Sequence, residues 1–224
     1  MKEFSDRLKK AADVLGLTLS EQQHETLLAY LSQLQRWNRT YNLTAIREPS
    51  LMLVQHVFDS MAIVMQLRLA VSRHIAEGKN ISVLDVGSGA GLPGTVIAIL
   101  EPEWDVSCVD AVEKKTAFIR QMSGVLKLSN LQALHNRIEM LPEMNATIVT
   151  SRAFASLADF AELAGKHVAP DGWMAAMKGR IPDDEITELQ EKTAWRVNRI
   201  DPIVVPELDA QRCLMWLKQD QGTP

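Results

Sequence analysis

The residues best placed to do chemistry lie between Asp85 and Gly94, in the run Asp85-Val86-Gly87-Ser88-Gly89-Ala90-Gly91-Leu92-Pro93-Gly94. Glycines in such a turn let the backbone approach a ligand where side chains would collide, and they aim the amides of a following helix at it. The ligand class follows from where the turn begins. Gly89 to Gly94 also satisfies the dinucleotide pattern G-x-G-x-x-G, which requires a strand ending just before Gly89. The apolar run Ile81-Ser82-Val83-Leu84-Asp85-Val86 instead ends at Val86, so Gly87 opens the turn and Asp85 closes the strand. A carboxylate facing the ligand suits a cation and repels a pyrophosphate. S-adenosylmethionine, with its sulfonium and ammonium, fits that demand. No Lys-Ser or Lys-Thr follows the glycines, which rules against a triphosphate-binding loop. Asp110 ends a second apolar run about 20 residues beyond the turn, where a carboxylate accepts hydrogen bonds from ribose hydroxyls. An aspartate there also suits a helix cap before Glu113, and both roles can hold together.

These residues need a strand–helix framework, and the pattern along the chain provides one. Residues 1–75 read as helical. Phe4, Leu8, Ala11, Ala12 and Leu15 form one stripe with Gly16 as its stop, and Ser20 with Gln23 resembles a capping box. The second helix should end near Tyr41-Asn42, and Ser50 is expected to cap a third helix running through Met65. Beyond residue 80, strands are expected at 81–86, 104–109, 131–136, 147–150, 173–177, 197–205 and 213–218. Helices are expected at about 93–100, 113–126 and 157–168 between them. This alternation predicts an α/β fold, a mostly parallel sheet covered on both faces. The turn at 206–210 suits a closing hairpin with an antiparallel last strand. The expected organisation is a helical N-terminal cap over 1–75 packed on a domain over 76–224, in one integrated unit.

Composition narrows the classes further. The 224 residues are 46% hydrophobic, enough for one substantial core. The two cysteines, Cys108 and Cys213, are far apart and in no C-x-x-C or Cys/His cluster, so no metal site is expected. Apolar runs are broken before membrane-spanning length, and the reading is of a cytoplasmic protein off the membrane. The net charge of −4 gives no sign of nucleic acid, which keeps a small-molecule substrate open from residues alone, although one basic face would not show in a sum. Arg36, Arg39 and Arg47 flank one loop, while Lys114, Lys115 and Arg120 follow Asp110; together in space they would form a phosphate-binding face, and apart they are solvated helix surface.

Three further candidates sit at expected strand or helix ends. Arg152 follows the strand ending at Thr150, at the sheet edge where such folds bind ligands, and its planar fork could hold a carboxylate or a phosphate. Lys178 falls on the same edge and is a candidate contact to guanine or phosphate. His56, Asp59 and Ser60 share one helix face, either lining the substrate pocket or joining helix to domain. The apolar neighbours of His56 favour the joint, and His56 stays a candidate substrate contact beside it.

Several motifs taken together resemble one family. Asn38-x-x-Tyr41-Asn42-Leu43-Thr44, His56-x-x-Asp59-Ser60, the glycine turn through Gly94, Ser151-Arg152-Ala153-Phe154-Ala155 and Lys178-Gly179 occur in the order of the bacterial ribosomal RNA small-subunit methyltransferase G family, also called glucose-inhibited division protein B. The resemblance implies a class I, Rossmann-like methyltransferase using S-adenosylmethionine. It implies methylation of N7 of one guanine in 16S ribosomal RNA, with that RNA or the 30S subunit as partner. It also implies cofactor contacts at Gly87, Leu92, Ile138, Glu139 and Arg152, beside Asp85, Gly89, Gly91 and Asp110 from the reading of the turn. A monomer is expected. The chemistry is compatible: guanine N7 has a free lone pair and no proton to lose, so no general base is required. The chain lacks both the Asn/Asp-Pro-Pro-Tyr/Phe motif for exocyclic amines and a Pro-Cys nucleophile.

Overall fold

A computed structural model describes residues 2–152, 154 and 156–220; Ala153 and Ala155 of the Ser-Arg-Ala-Phe-Ala motif lie outside the described residues. Helix α1, Lys2–Val14, buries Leu8, Ala11 and Ala12, and Gly16 at φ +68° turns the chain out of it. Helix α2, Glu21–Tyr41, opens on the expected capping box. Ser20 Oγ accepts from Gln23 N–H at 3.1 Å, and Gln23 Oε1 accepts from Ser20 N–H at 2.9 Å. The helix ends at Asn42 in the left-handed region.

The next helical run differs from expectation at its start and in its middle. Its cap is Glu48 rather than Ser50, because Pro49 takes the first helical position and leaves the residue before it outside. The Glu48 carboxylate accepts from Ser50 N–H at 2.9 Å and Leu51 N–H at 2.6 Å. After α3, Pro49–Met52, six residues form a π-helical turn, Leu53–Phe58, followed by α4, Asp59–Met61. Helices α5, Val64–Ala70, and α6, Ser72–Ala76, complete the N-terminal part. The run Pro49–Ala70 is long and apolar enough to span a bilayer, but its apolar window is 72% buried inside the protein, as in a core helix.

The sheet follows. Strand β1, Ser82–Val86, leads to α7, Gly94–Leu100, and β2, Asp105–Asp110, leads to α8, Glu113–Val125. Strands β3, Leu131–His135, and β4, Ala146–Ser151, precede α9, Leu157–Ala164. Then come β5, Val168–Lys178, α10, Asp183–Lys192, β6, Trp195–Pro202, and β7, Cys213–Gln219. The strand order is β3-β2-β1-β4-β5-β7-β6. The first five pair in parallel, while β7 runs antiparallel to both β5 and β6. The expected antiparallel last strand is present, inserted inside the sheet with β6 as the edge. The order reverses between β1 and β4, and a crevice opens there at the carboxyl ends of the strands.

Several readings of the second half need correction, among them the strands expected at 173–177 and 197–205, which run Val168–Lys178 and Trp195–Pro202. The helix predicted over 157–168 stops at Ala164, and a 3-10 turn, Gly165–His167, leads straight into β5. That strand includes Pro170 and Gly172, tolerated where its pairing with β4 shifts register between Ala146 and Ile148. Helix α10 was not predicted. Its apolar face is thin, with only Leu189 buried. One face of the sheet shares a continuous core with the N-terminal helices, in which Leu27, Tyr30 and Phe58 meet Val96, Phe118 and Trp216. Helices α9 and α10 cover the other face through Leu157, Phe160 and Leu189.

Candidate active site

At the end of β1 the chain turns through three glycines with positive φ, Gly87 (+67°), Gly89 (+59°) and Gly91 (+82°). They divide into two kinds. A Cβ on Gly87 or Gly89 would meet nothing within 4 Å, so these two border open space that a ligand can approach. A Cβ on Gly91 would strike Thr95 Oγ1, and one on Gly94 would strike Cys108 Sγ and the Asp85 carboxylate. Those two glycines let α7 lie close on β1 and β2. The turn is fixed from outside as well: Tyr30, fully buried on α2, donates its hydroxyl to Ala90 O at 2.8 Å, and Ser151 donates to Val86 O at 2.8 Å. Leu92 is buried beneath it.

Asp85 is fully buried at the strand end. Its Oδ2 accepts the Gly94 N–H at 2.8 Å, so half of the carboxylate holds the first turn of α7 instead of facing a ligand. Its Oδ1 is buried without a hydrogen-bond partner among the described residues. Burial pushes this carboxyl up to about 7, against the pull of the Gly94 amide and Arg152. Asp110 ties the turn from the other side. Its Oδ2 accepts the Gly89 N–H at 2.9 Å and its Oδ1 the Val112 N–H at 2.9 Å, with Lys115 Nζ 3.5 Å away. A carboxylate oxygen has a second lone pair, so this tie leaves it able to accept from a further donor.

Beside Asp110 lies a groove of about 270 Å³, lined by Val86, Gly87, Asp110, Ile138, Glu139 and Phe154, with Asp85 buried outside its lining. It brings four of the sequence-predicted residues together. The segment 138–141 on its far wall is held by two residues that the sequence reading missed. Lys166 donates to Glu139 O at 2.8 Å and Leu141 O at 3.0 Å. His167, fully buried, places Nε2 3.1 Å from Ile138 O. Only the chain reversal into β5 puts them there, and no local pattern announces it.

Arg152 stands at the carboxyl end of β4, on the side facing the N-terminal helices. Its Nη1 donates to Gln55 O at 3.0 Å and lies 3.4 Å from Asp59 Oδ2. Asp59, 3% exposed, also accepts from Arg212 Nε at 2.9 Å, so one buried carboxylate holds two guanidiniums. His56, buried on the π-helical turn, lies 2.9 Å from Thr44 Oγ1 through Nε2 and 3.4 Å from Arg152 through Nδ1. Burial, with Arg152 beside it, brings its pKa down to about 4, so the ring is neutral at pH 7. π-Helical turns recur at functional sites. Here the turn carries Gln55 and His56 to Arg152. Lys178 pairs with Glu185 at 2.7 Å and reaches Phe154 O at 3.3 Å, knitting β5 to α10. Arg212 was absent from the sequence-predicted set.

Comparison with known proteins decides the family. A model of the family described as GidB, rRNA small subunit methyltransferase G, matches residues 23–215. The chain belongs to this family. It is 57% identical over 217 residues to ribosomal RNA small subunit methyltransferase G of Bordetella petrii, covering 97% of this chain and 84% of the relative. It is 56% identical over 218 residues to the Bordetella pertussis protein of the same name, covering 97% and 94%. A ribosomal protein L11 methylase from Lactobacillus delbrueckii subsp. bulgaricus shares the fold, with TM-score 0.53 at 12% identity over 71% of this chain and 77% of that one. As a family member the enzyme uses S-adenosylmethionine. The open space at Gly87 and Gly89 and the unpartnered Asp85 Oδ1 fit a bulky ligand with a cationic end.

Proposed function

We propose that this rRNA small subunit methyltransferase G family member transfers a methyl group to N7 of one guanine in 16S ribosomal RNA, presented as RNA or within the 30S subunit, in the cytoplasm and as a monomer. The observation that carries the proposal is the state of the ionisable groups at the sheet edge. Asp59 is paired to Arg152 and Arg212, Lys178 to Glu185, and Asp110 holds two amides. His56 is buried and bonded within the chain. None of these stands free as a general base. Asp85, whose Oδ1 has no partner among the described residues, is fully buried at the strand end and serves the cofactor. This suits a nucleophile with no proton to lose. Displacement at a methyl then depends on holding the two reactants in line.

The bound cofactor supplies an activated methyl on a cationic sulfur. We assign its contacts to this chain as follows. The backbone of Gly87 and Gly89 lies against it, with Gly91 and Leu92 setting the path of the turn. Asp110, Ile138 and Glu139 border the adenosine in the groove. Asp85 Oδ1 and Arg152 serve its amino-acid end, as acceptor and donor. Lys178 and His56 act by supporting the loop and helix around the guanine.

Mapping 7-methylguanine in 16S RNA from cells with and without the gene tests the activity, and an unchanged pattern would overturn it. Calorimetry tests the cofactor placement. Gly87→Asp puts a charged side chain into the open space and is expected to abolish S-adenosylmethionine binding; retained affinity refutes the placement.

A further inference from the structure

Charge is distributed unevenly along this chain. Residues 26–47 and 114–138 contain eight of the twenty-four Lys and Arg and none of the twenty-eight Asp and Glu, which leaves the rest of the chain at −12. The fold brings the two stretches together. Helices α2 and α8 pack side by side, with Phe118 6.1 Å from Tyr30 and 5.4 Å from Trp37 between ring centroids. Their apolar residues face each other and the core, so Arg36, Arg39, Lys114 and Arg120 remain outside, exposed, with Arg47 on the loop after α2. Among the described residues no carboxylate pairs with any of these five, whereas Arg7, Arg68, Arg73 and Lys192 elsewhere are all ion-paired.

We propose that this outer face of α2 and α8 receives the phosphate backbone of the RNA. The inference rests on the proposed function and names the part of the molecule that holds its substrate. Position supports it. Lys114 lies in the first turn of α8, four residues beyond Asp110, whose carboxylate holds Gly89, so the basic face starts where the cofactor groove opens. Helix α2 begins with Gln23 bonded to the carboxyl end of α7 and passes Ala90 at Tyr30, which carries its last turn to the same edge. There Tyr41, 44% exposed, lies on Trp37 with centroids 4.9 Å apart and offers an aromatic face to an unstacked base. An acidic protein that must hold a polyanion needs its cations gathered and unneutralised, and this face combines both properties.

The test compares Arg36→Gln/Arg39→Gln/Lys114→Gln with Lys192→Gln/Arg196→Gln/Arg199→Gln at the opposite sheet edge, using 30S subunits as the probe. The first variant is expected to raise the KM for 30S about tenfold or more and to lower the steepness of its salt dependence by about 2 to 3, since each phosphate contact contributes about 0.7 to 0.9. Its calorimetric Kd for S-adenosylmethionine stays at the wild-type value, which shows an intact fold. The second variant keeps the wild-type KM. Equal KM values for both variants overturn the inference. A second readout uses the wild-type enzyme: bound 30S should shield Lys114 but not Lys192 from acetylation, and an unshielded Lys114 also overturns it. Failure of the wild type to methylate 30S subunits would sink the functional reading instead, so the two failures are distinguishable.

Discussion

Asp59 shows how a single buried carboxylate can set the geometry of a site from behind. Two guanidiniums from different parts of the chain, Arg152 and Arg212, depend on it. Asp59→Ala leaves both cations without their partner and is expected to cost about 3 kcal/mol in denaturant unfolding; a loss under 1 kcal/mol would mean that water replaces the carboxylate. His56 gives a pH signature. Its folded pKa of about 4 lies below the ordinary value of 6.5, so its contribution is complete above about pH 6.5 and is lost as pH falls through 4. Stability should decline by up to about 3 kcal/mol across that window on this account, and His56→Gln should flatten the decline in melting temperature measured from pH 7 to pH 4. Residue-level reading succeeded where chemistry is local and failed where it depends on the path of a turn. The glycines and Asp110 were legible from spacing. The bond from Asp85 to Gly94 was not, because only the folded turn returns residue 94 to residue 85. Arg212 was invisible because 153 residues separate it from Asp59.

At the scale of elements, Gln23 joins two helices with one side chain. It completes the capping box of α2 and donates to Leu100 O at 3.0 Å at the end of α7. Gln23→Ala is expected to cost about 1 to 2 kcal/mol, a lost cap together with orphaned carbonyls, and urea melts can measure it. Gly94→Ala should be far worse, since the added methyl collides with Cys108 and Asp85 in a close-packed interior; soluble protein with wild-type melting temperature would refute that packing. The capping box was legible because its two members are three residues apart. The Glu48 cap was misread because a serine after proline resembles a cap, while the proline, taking the first helical position, moves the cap two residues earlier. Strand β5 was read too short, since Pro170 and Gly172 normally interrupt strands, and α10 was missed for want of an apolar stripe.

For the whole molecule, the shared core of the N-terminal helices and the sheet supports reading residues 1–75 and 76–224 as one folding unit. We expect one calorimetric transition with matching calorimetric and van't Hoff enthalpies; two resolved transitions would divide the cap from the domain. The parallel half of the sheet was legible from the alternation of strands and helices. The place of β7 was not, because sequence order does not reveal insertion between two earlier strands. That insertion imposes a schedule on the newborn chain. Until residues 213–219 are made, β5 and β6 lack the neighbour they share, and Asp59 waits for Arg212. At translation rates of about 5 to 20 residues per second the carboxylate waits roughly 8 to 30 s for its second cation. Chains arrested before residue 213 should therefore be cut readily by protease within β6, and resistance there would contradict this order of assembly. An enzyme whose family modifies ribosomal RNA thus gains its second guanidinium at Asp59 only long after a ribosome has made Asp59 itself.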